Sequence, residues 1–140
     1  MMRRRLQALE ARLALCAALL LVFVLPFRLL AGIMGTSAPD TSASHASPAD
    51  VATGTALGRR VERNAGFLSA RATCLVKAVA LWIMLRRRGI RSRVRLGVRR
   101  DAGGLAAHAW LDVAGGTVLG GAEAEGFTAI ADMGRQGARP

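Results

Sequence analysis

Cys74 and His108 are the two side chains whose types and placement could together do chemistry. A thiol and an imidazole support nucleophilic acyl transfer. The imidazole takes the thiol proton, the thiolate attacks a carbonyl carbon, and the proton is then given to the leaving amine. Cys74 falls near the start of the most helix-like segment of the chain, where free backbone N–H groups and the positive end of the helix dipole favour a thiolate. The same N–H groups, that of Cys74 included, suit the oxyanion of a tetrahedral intermediate. The competing role for such a cysteine is packing, since free cysteine is among the most buried residue types. His108 comes 34 positions later in an alternating segment, between the small residues Ala107 and Ala109. A two-residue period sets it on one face with Trp110 and Asp112. Its competing role is a histidine satisfied by the sheet backbone.

The other reactive types are less informative. Cys16 lies within an uncharged run (LALCAALLLVFVLPF, 13–27) and is expected as a small buried thiol. His45 lies in a Ser- and Pro-rich stretch, where a histidine is most often incidental. Two cysteines make no disulfide framework, and no Cys/His set has zinc spacing, so neither a metal nor another cofactor is implied.

The elements that must position Cys74 and His108 are legible from periodicity. A short helix is expected over 51–64, with Val51, Leu57 and Val61 on a rough apolar face. A longer helix is expected over 70–88, with Ser69 as N-cap and a buried stripe of Leu75, Val79, Trp82, Met84 and Leu85. The arginines at 86–88 suit its C-terminus, and Gly89 suits a left-handed turn after it. The period then changes to two. In RSRVRLGV (91–98) arginines alternate with Val94, Leu96 and Val98, a half-buried strand. A turn at 101–104, a strand over 105–113, a second turn and a short strand over 117–120 complete an antiparallel meander. A helix packed on such a meander is an α+β layout. Trp110 either walls a cleft beside the two reactive residues or fills the core between helix and sheet, and the second reading is favoured here.

The N-terminal third is different in kind. Basic residues at 3–5 lead into an apolar stretch reaching Met34, interrupted by Pro26 and Arg28. A signal peptide would need a better small-residue cleavage site than Thr-Ser-Ala at 36–38. A spanning helix over 13–34 would have to tolerate Pro26 and let Arg28 snorkel. A helix lying in the bilayer interface or docked on the domain meets neither difficulty, and the basic end would face the cytoplasm. The expected division is a hydrophobic helical segment over 1–35, a Ser/Ala/Pro-rich linker over 36–56 and a catalytic domain over 57–135. A body of roughly 80 residues buries a small core and would gain from the N-terminal segment, a membrane or a partner protein. The net charge of +11 is almost all arginine, Lys77 being the one lysine. Such a charge suits an anionic partner, but no aromatic residue is interleaved with the arginine runs, so nucleic-acid binding is not expected.

The stretches TCLVKAVALWIMLRRRGIRSRVRLGV and AAHAWLDVAGGTVLGG resemble the standalone transglutaminase-like leader peptidases of lasso-peptide gene clusters, over roughly residues 57–130. The shared pattern is a Cys-Leu helix start, a Gly after a basic helix end, a strand ending in Gly-Val, then His-Ala-Trp and a Gly-rich turn. The resemblance implies a papain-like cysteine-protease fold, with Cys74 as nucleophile and His108 as general base and acid. It also implies hydrolysis of the bond between leader and core of a ribosomally made precursor peptide. The implied partners are a leader-binding recognition protein and an ATP-dependent lasso cyclase. In family members with a full triad an aspartate falls near the position of Gly120. Asp112 is no substitute, because four residues along a strand span about 13 Å, and it is expected as a solvated strand residue. A backbone carbonyl, a water or Glu123 remains to hold the imidazole. Two other functions fit the same residues: another transglutaminase-like amidohydrolase, or a basic membrane-associated adaptor in which Cys74 only packs.

Overall fold

The computed structural model of the chain describes residues 1–37 and 47–134. Helix α1 (Met2–Val24) is followed after Pro26 by α2 (Phe27–Met34) and a two-residue strand β1 (Thr36–Ser37). Helix α3 (Pro48–Asn64) runs into a 3-10 segment (Ala65–Arg71). Helix α4 (Cys74–Arg87) is followed by β2 (Arg93–Asp101), β3 (Gly104–Val113), β4 (Gly116–Leu119), the single turn α5 (Gly121–Ala124) and β5 (Thr128–Met133). The strands form one antiparallel sheet in the order β1-β5-β2-β3-β4. The fold is α+β, a helical layer on a small antiparallel sheet, as the resemblance implies.

α4 is the centre of the molecule. Eight of its residues, from Val76 to Leu85, are buried, because the sheet covers one side and α1 and α3 cover the other. A helix enclosed in this way needs an apolar sequence all round rather than a narrow stripe. Its C-terminus closes as expected. The Ile90 N–H donates to the Leu85 carbonyl and the Gly89 N–H to the Arg86 carbonyl, with Gly89 at φ 69°. Its N-terminus starts later than expected. Ser69 does not cap it but sits at a kink of the 3-10 segment with φ 50°. Thr73 is the cap, its hydroxyl accepting from the Val76 N–H at 3.3 Å. Cys74 is therefore the first helical residue.

The chain before residue 57 is more structured than its composition suggests. Ser47 caps α3 and Pro48 occupies its first turn, so the helix takes up the last nine residues of the expected 36–56 linker. Thr36 and Ser37 pair with Met133 and Asp132 at the sheet edge, and the Gly134 N–H donates to the Gly35 carbonyl at 2.9 Å. Residues 38–46, with His45, lie outside the described residues. α1 joins the core through Ala11, Ala14, Leu15 and Ala18. Its opposite face is exposed, with Leu6, Leu9, Leu13, Leu20 and Phe23 open and α2 adding Phe27, Leu29 and Ile33. Cys16 lies on the exposed side, not in the core as expected, because a helix docked along one face turns its other face outward. By length and composition α1 is able to cross a membrane. Glu10 of α1 meets Arg88 in a two-pronged ion pair, at 2.6 and 2.9 Å, which fastens α1 to the end of α4. That contact is the main cause holding the Glu10 carboxyl below its ordinary range.

The two faces of the sheet differ. Val94, Ala109, Leu111 and Val113 belong to the core under α4. The residues that alternate with them point the other way, and cross-strand pairs there set Arg93 opposite Asp112, Arg95 opposite Trp110 and Gly97 opposite His108. Asp132 of β5 is 1% exposed and ion-paired with Arg93 at 3.4 Å and Arg95 at 3.0 Å. The arginines of β2 thus hold strands together across the face where alternation suggested only solvent.

Candidate active site

Cys74, at the first position of α4, opens onto a cleft of about 250 Å³. His108 and Ala109 of β3, Leu119 and Gly120 at the end of β4, and Glu123 of α5 form one side. Glu62 of α3 and Lys77 of α4 form another, joined by an ion pair of 2.9 Å. The structure therefore brings the two sequence-predicted residues to a common cleft. No hydrogen bond joins Cys74 to His108 among the described residues.

Why the cleft forms here follows from local structure. The Thr73 cap takes the Val76 N–H through its hydroxyl and the Lys77 N–H through its carbonyl, at 3.3 and 3.1 Å. These contacts fix the first turn and leave the N–H groups of Cys74 and Leu75 ahead of the capped pair. On the opposite wall, β4 is followed by Gly120, whose φ of 76° turns its carbonyl toward β3. That turn is costly for other residues, by about 1 kcal/mol or more. A Cβ on Gly120 would also come within 3.3 Å of His108 Nε2 and 3.2 Å of the Ala109 carbonyl.

The Gly120 carbonyl lies 3.1 Å from His108 Nε2. A carbonyl can only accept, so Nε2 is the donor, and in the neutral form of the ring Nδ1 is the nitrogen with the free lone pair. Of the three candidate holders for this ring, the backbone carbonyl makes the bond. Two aromatic rings brace the imidazole from the sides. Trp110 stacks on it at 5.9 Å with an interplanar angle of 21°, and Phe127 leans against it at 5.4 Å. Trp110 is 7% exposed but lies on the face away from α4, so it does not fill the core between helix and sheet. Gly97 makes its seat possible, since a Cβ there would stand 2.6 Å from the indole ring. Asp112 is engaged rather than solvated. It accepts from the Thr117 hydroxyl at 2.7 Å and pairs with Arg95 at 3.5 Å, and it is not bonded to His108.

Phe127, Glu62 and Lys77 are site residues the sequence reading missed. Phe127 follows a glycine-rich stretch with no periodic signal. Lys77 carried one clue, as the sole lysine placed one helical turn after Cys74. Among the described residues no group of three His, Cys, Asp or Glu is arranged to hold a metal ion.

A cysteine at the start of a central helix, facing a histidine-bearing strand of an antiparallel sheet, is an arrangement of transglutaminase-like proteins. The model of the transglutaminase-like superfamily matches residues 17–132, and the chain belongs to that superfamily. The match begins within α1 and ends within β5, so it takes in most of the described fold. No curated protein and no solved structure matches the chain.

Proposed function

We propose that this chain is a cysteine peptidase that removes the leader from a ribosomally made lasso precursor peptide, ahead of macrolactam formation by an ATP-dependent cyclase. The observation that carries the reading is the shared cleft of Cys74 and His108, with the far nitrogen of the ring engaged by Gly120. In this mechanism Nδ1 of His108 takes the thiol proton of Cys74. The sulfur adds to the carbonyl carbon of the last leader residue, and the N–H groups of Cys74 and Leu75 receive the oxyanion. Collapse breaks the peptide bond, and His108 gives its proton to the leaving amine of the core. Water, deprotonated by the same ring, then hydrolyses the thioester and frees the leader.

A leader-binding protein is the partner that would bring the precursor to a chain with so small a body. The place of action in this reading is the cytoplasmic face of a membrane, with α1 and α2 lying on the bilayer. Spanning would strip Ala11, Ala14, Leu15 and Ala18 from the core, whereas lying flat uses the leucines already exposed. Mixing the purified protein with precursor and leader-binding protein, then following leader release by mass spectrometry, tests the activity. Undiminished release by Cys74→Ala, or no release by the folded wild-type protein, would end the proposal.

A further inference from the structure

The peptidase reading leaves unused a basic cavity between α1 and α3. Arg4, Gln7, Arg60, Arg63 and Asn64 line about 480 Å³. Three guanidinium groups share this space, and among the described residues none has a carboxylate within ion-pair distance. Glu10 is near enough for Arg60 to lower its pKa, but its oxygens are taken by Arg88. Crowded like charges repel, and a bound anion would relieve them. Guanidinium forks match a carboxylate in particular, through paired N–H donors.

Helix geometry shows which way the cavity opens. Arg4, Gln7 and Ala8 continue, three and four residues apart, the buried row of Ala11, Ala14, Leu15 and Ala18. The exposed leucines lie on the other side of α1. A bilayer on that outer face would therefore not reach the arginines. Shared lining residues instead link the cavity to the cysteine cleft. Arg63 also lines a neighbouring cleft of about 350 Å³ with Gly58, Val118 and Leu119, and Glu62, Leu119 and Gly120 are shared by that cleft and the one containing Cys74. The result is a track around the outside of α3, with Arg59 and Glu62 beside Gly58, Val118 and Leu119 in its middle and a basic cluster at its far end. Half the girth of a helix is about 16 Å, which is about five residues of extended peptide.

We propose that the Arg4–Arg60–Arg63 cavity is an acid-binding subsite that takes a side-chain carboxylate of the peptide substrate about five residues from the bond being cut. The assignment rests on the peptidase reading for the bond, but its binding component is measurable without cleavage. The probe is a fluorescein-labelled peptide of alternating Glu and Leu, compared by anisotropy with its Gln-for-Glu counterpart, against the full chain carrying Cys74→Ala. The Glu peptide binds at least about tenfold more tightly than the Gln peptide, and R60Q/R63Q removes that advantage. R91Q/R100Q deletes the same charge elsewhere and changes binding by less than about twofold. Because Arg60 is half-buried, Arg4→Gln is a second variant, expected to weaken binding about threefold. In a Cys16→Ala background the Glu peptide also slows alkylation of Cys74 by iodoacetamide. Equal losses from R60Q/R63Q and R91Q/R100Q would reduce the effect to net charge and overturn the subsite. So would R60Q/R63Q weakening adsorption to phosphatidylglycerol vesicles while leaving peptide affinity intact. Precursor cleavage unaffected by R60Q/R63Q overturns the subsite and spares the peptidase. Arginine-dependent peptide binding without any cleavage keeps the subsite and removes the peptidase.

Discussion

α1 and α4 are both apolar helices with a single cysteine, yet the chain uses them in opposite ways. α4 is enclosed along its middle and opens at its two ends, where Cys74 meets the cleft and Arg86 and Arg87 reach solvent. α1 is enclosed along one face only, and Cys16 lies with the exposed leucines. The contrast teaches that the surroundings of a thiol matter more than the apolarity of its helix. An enclosed helix with an open end concentrates its free N–H groups at one reachable point. A half-docked helix offers a long greasy surface and no such point.

The sharpest way to break this comparison is to exchange the thiols for alanine. Cys74→Ala is expected to lower leader release by at least about a thousandfold, whereas Cys16→Ala should leave it within about twofold, since surface changes are near neutral. Comparable losses from both would refute the assignment of roles. Next in size is Gly120→Ala. A side chain at φ 76° and 3.3 Å from Nε2 displaces the carbonyl that fixes the His108 tautomer, so the rate should fall about tenfold with a smaller drop in Tm. An unchanged rate would mean that the ring does not depend on that carbonyl. Labelling of Cys16 by a water-soluble maleimide should slow about fivefold when anionic vesicles are added, because the face around it enters the headgroup layer. Labelling of Cys74 should not slow, and equal protection of both would contradict the flat orientation.

The smallest expected effect concerns the fastening between the two helices. The carboxyl of Glu10 is held below its ordinary range chiefly by its hydrogen bonds to Arg88, with Coulombic help from arginines 87, 88 and 60 against a burial cost. A lowered native pKa means that this stabilisation is complete above the ordinary glutamate range. It disappears as pH falls through the native value. Glu10→Gln should cost about 1 kcal/mol at neutral pH and flatten the acid limb of a stability–pH curve. Superimposable curves for the two proteins would show that the pair contributes nothing.

The sequence disclosed much of this architecture and hid specific parts of it. Period-two alternation placed His108 and Trp110 on one face of β3, and a stripe of Leu75, Val79, Trp82, Met84 and Leu85 marked α4. The helix start was misread because Ser69 and Thr73 are equally good caps by type, and only the kink at residue 69 excludes the first. β5 escaped notice because its pattern is inverted, with Ile130 exposed and Asp132 buried against two arginines. The start of α3 was concealed by linker-like composition around Ser47 and Pro48, residues that also begin helices. A backbone carbonyl was among the options for holding His108, but sequence alone could not choose that of Gly120, since every residue has a carbonyl and only the fold aims one.

The short strand β1 has a mechanical consequence. By stitching Thr36 and Ser37 to β5, with Gly35 and Gly134 adding a further clasp, it ties the exit of α2 to the last strand of the sheet. Any load applied to the first two helices, whether by lipid or by a partner pulling on them, passes into the sheet edge as well as into α4. Such a body would ride on its support as a keeled hull does, with the cleft of Cys74 and His108 held at a fixed height and heading.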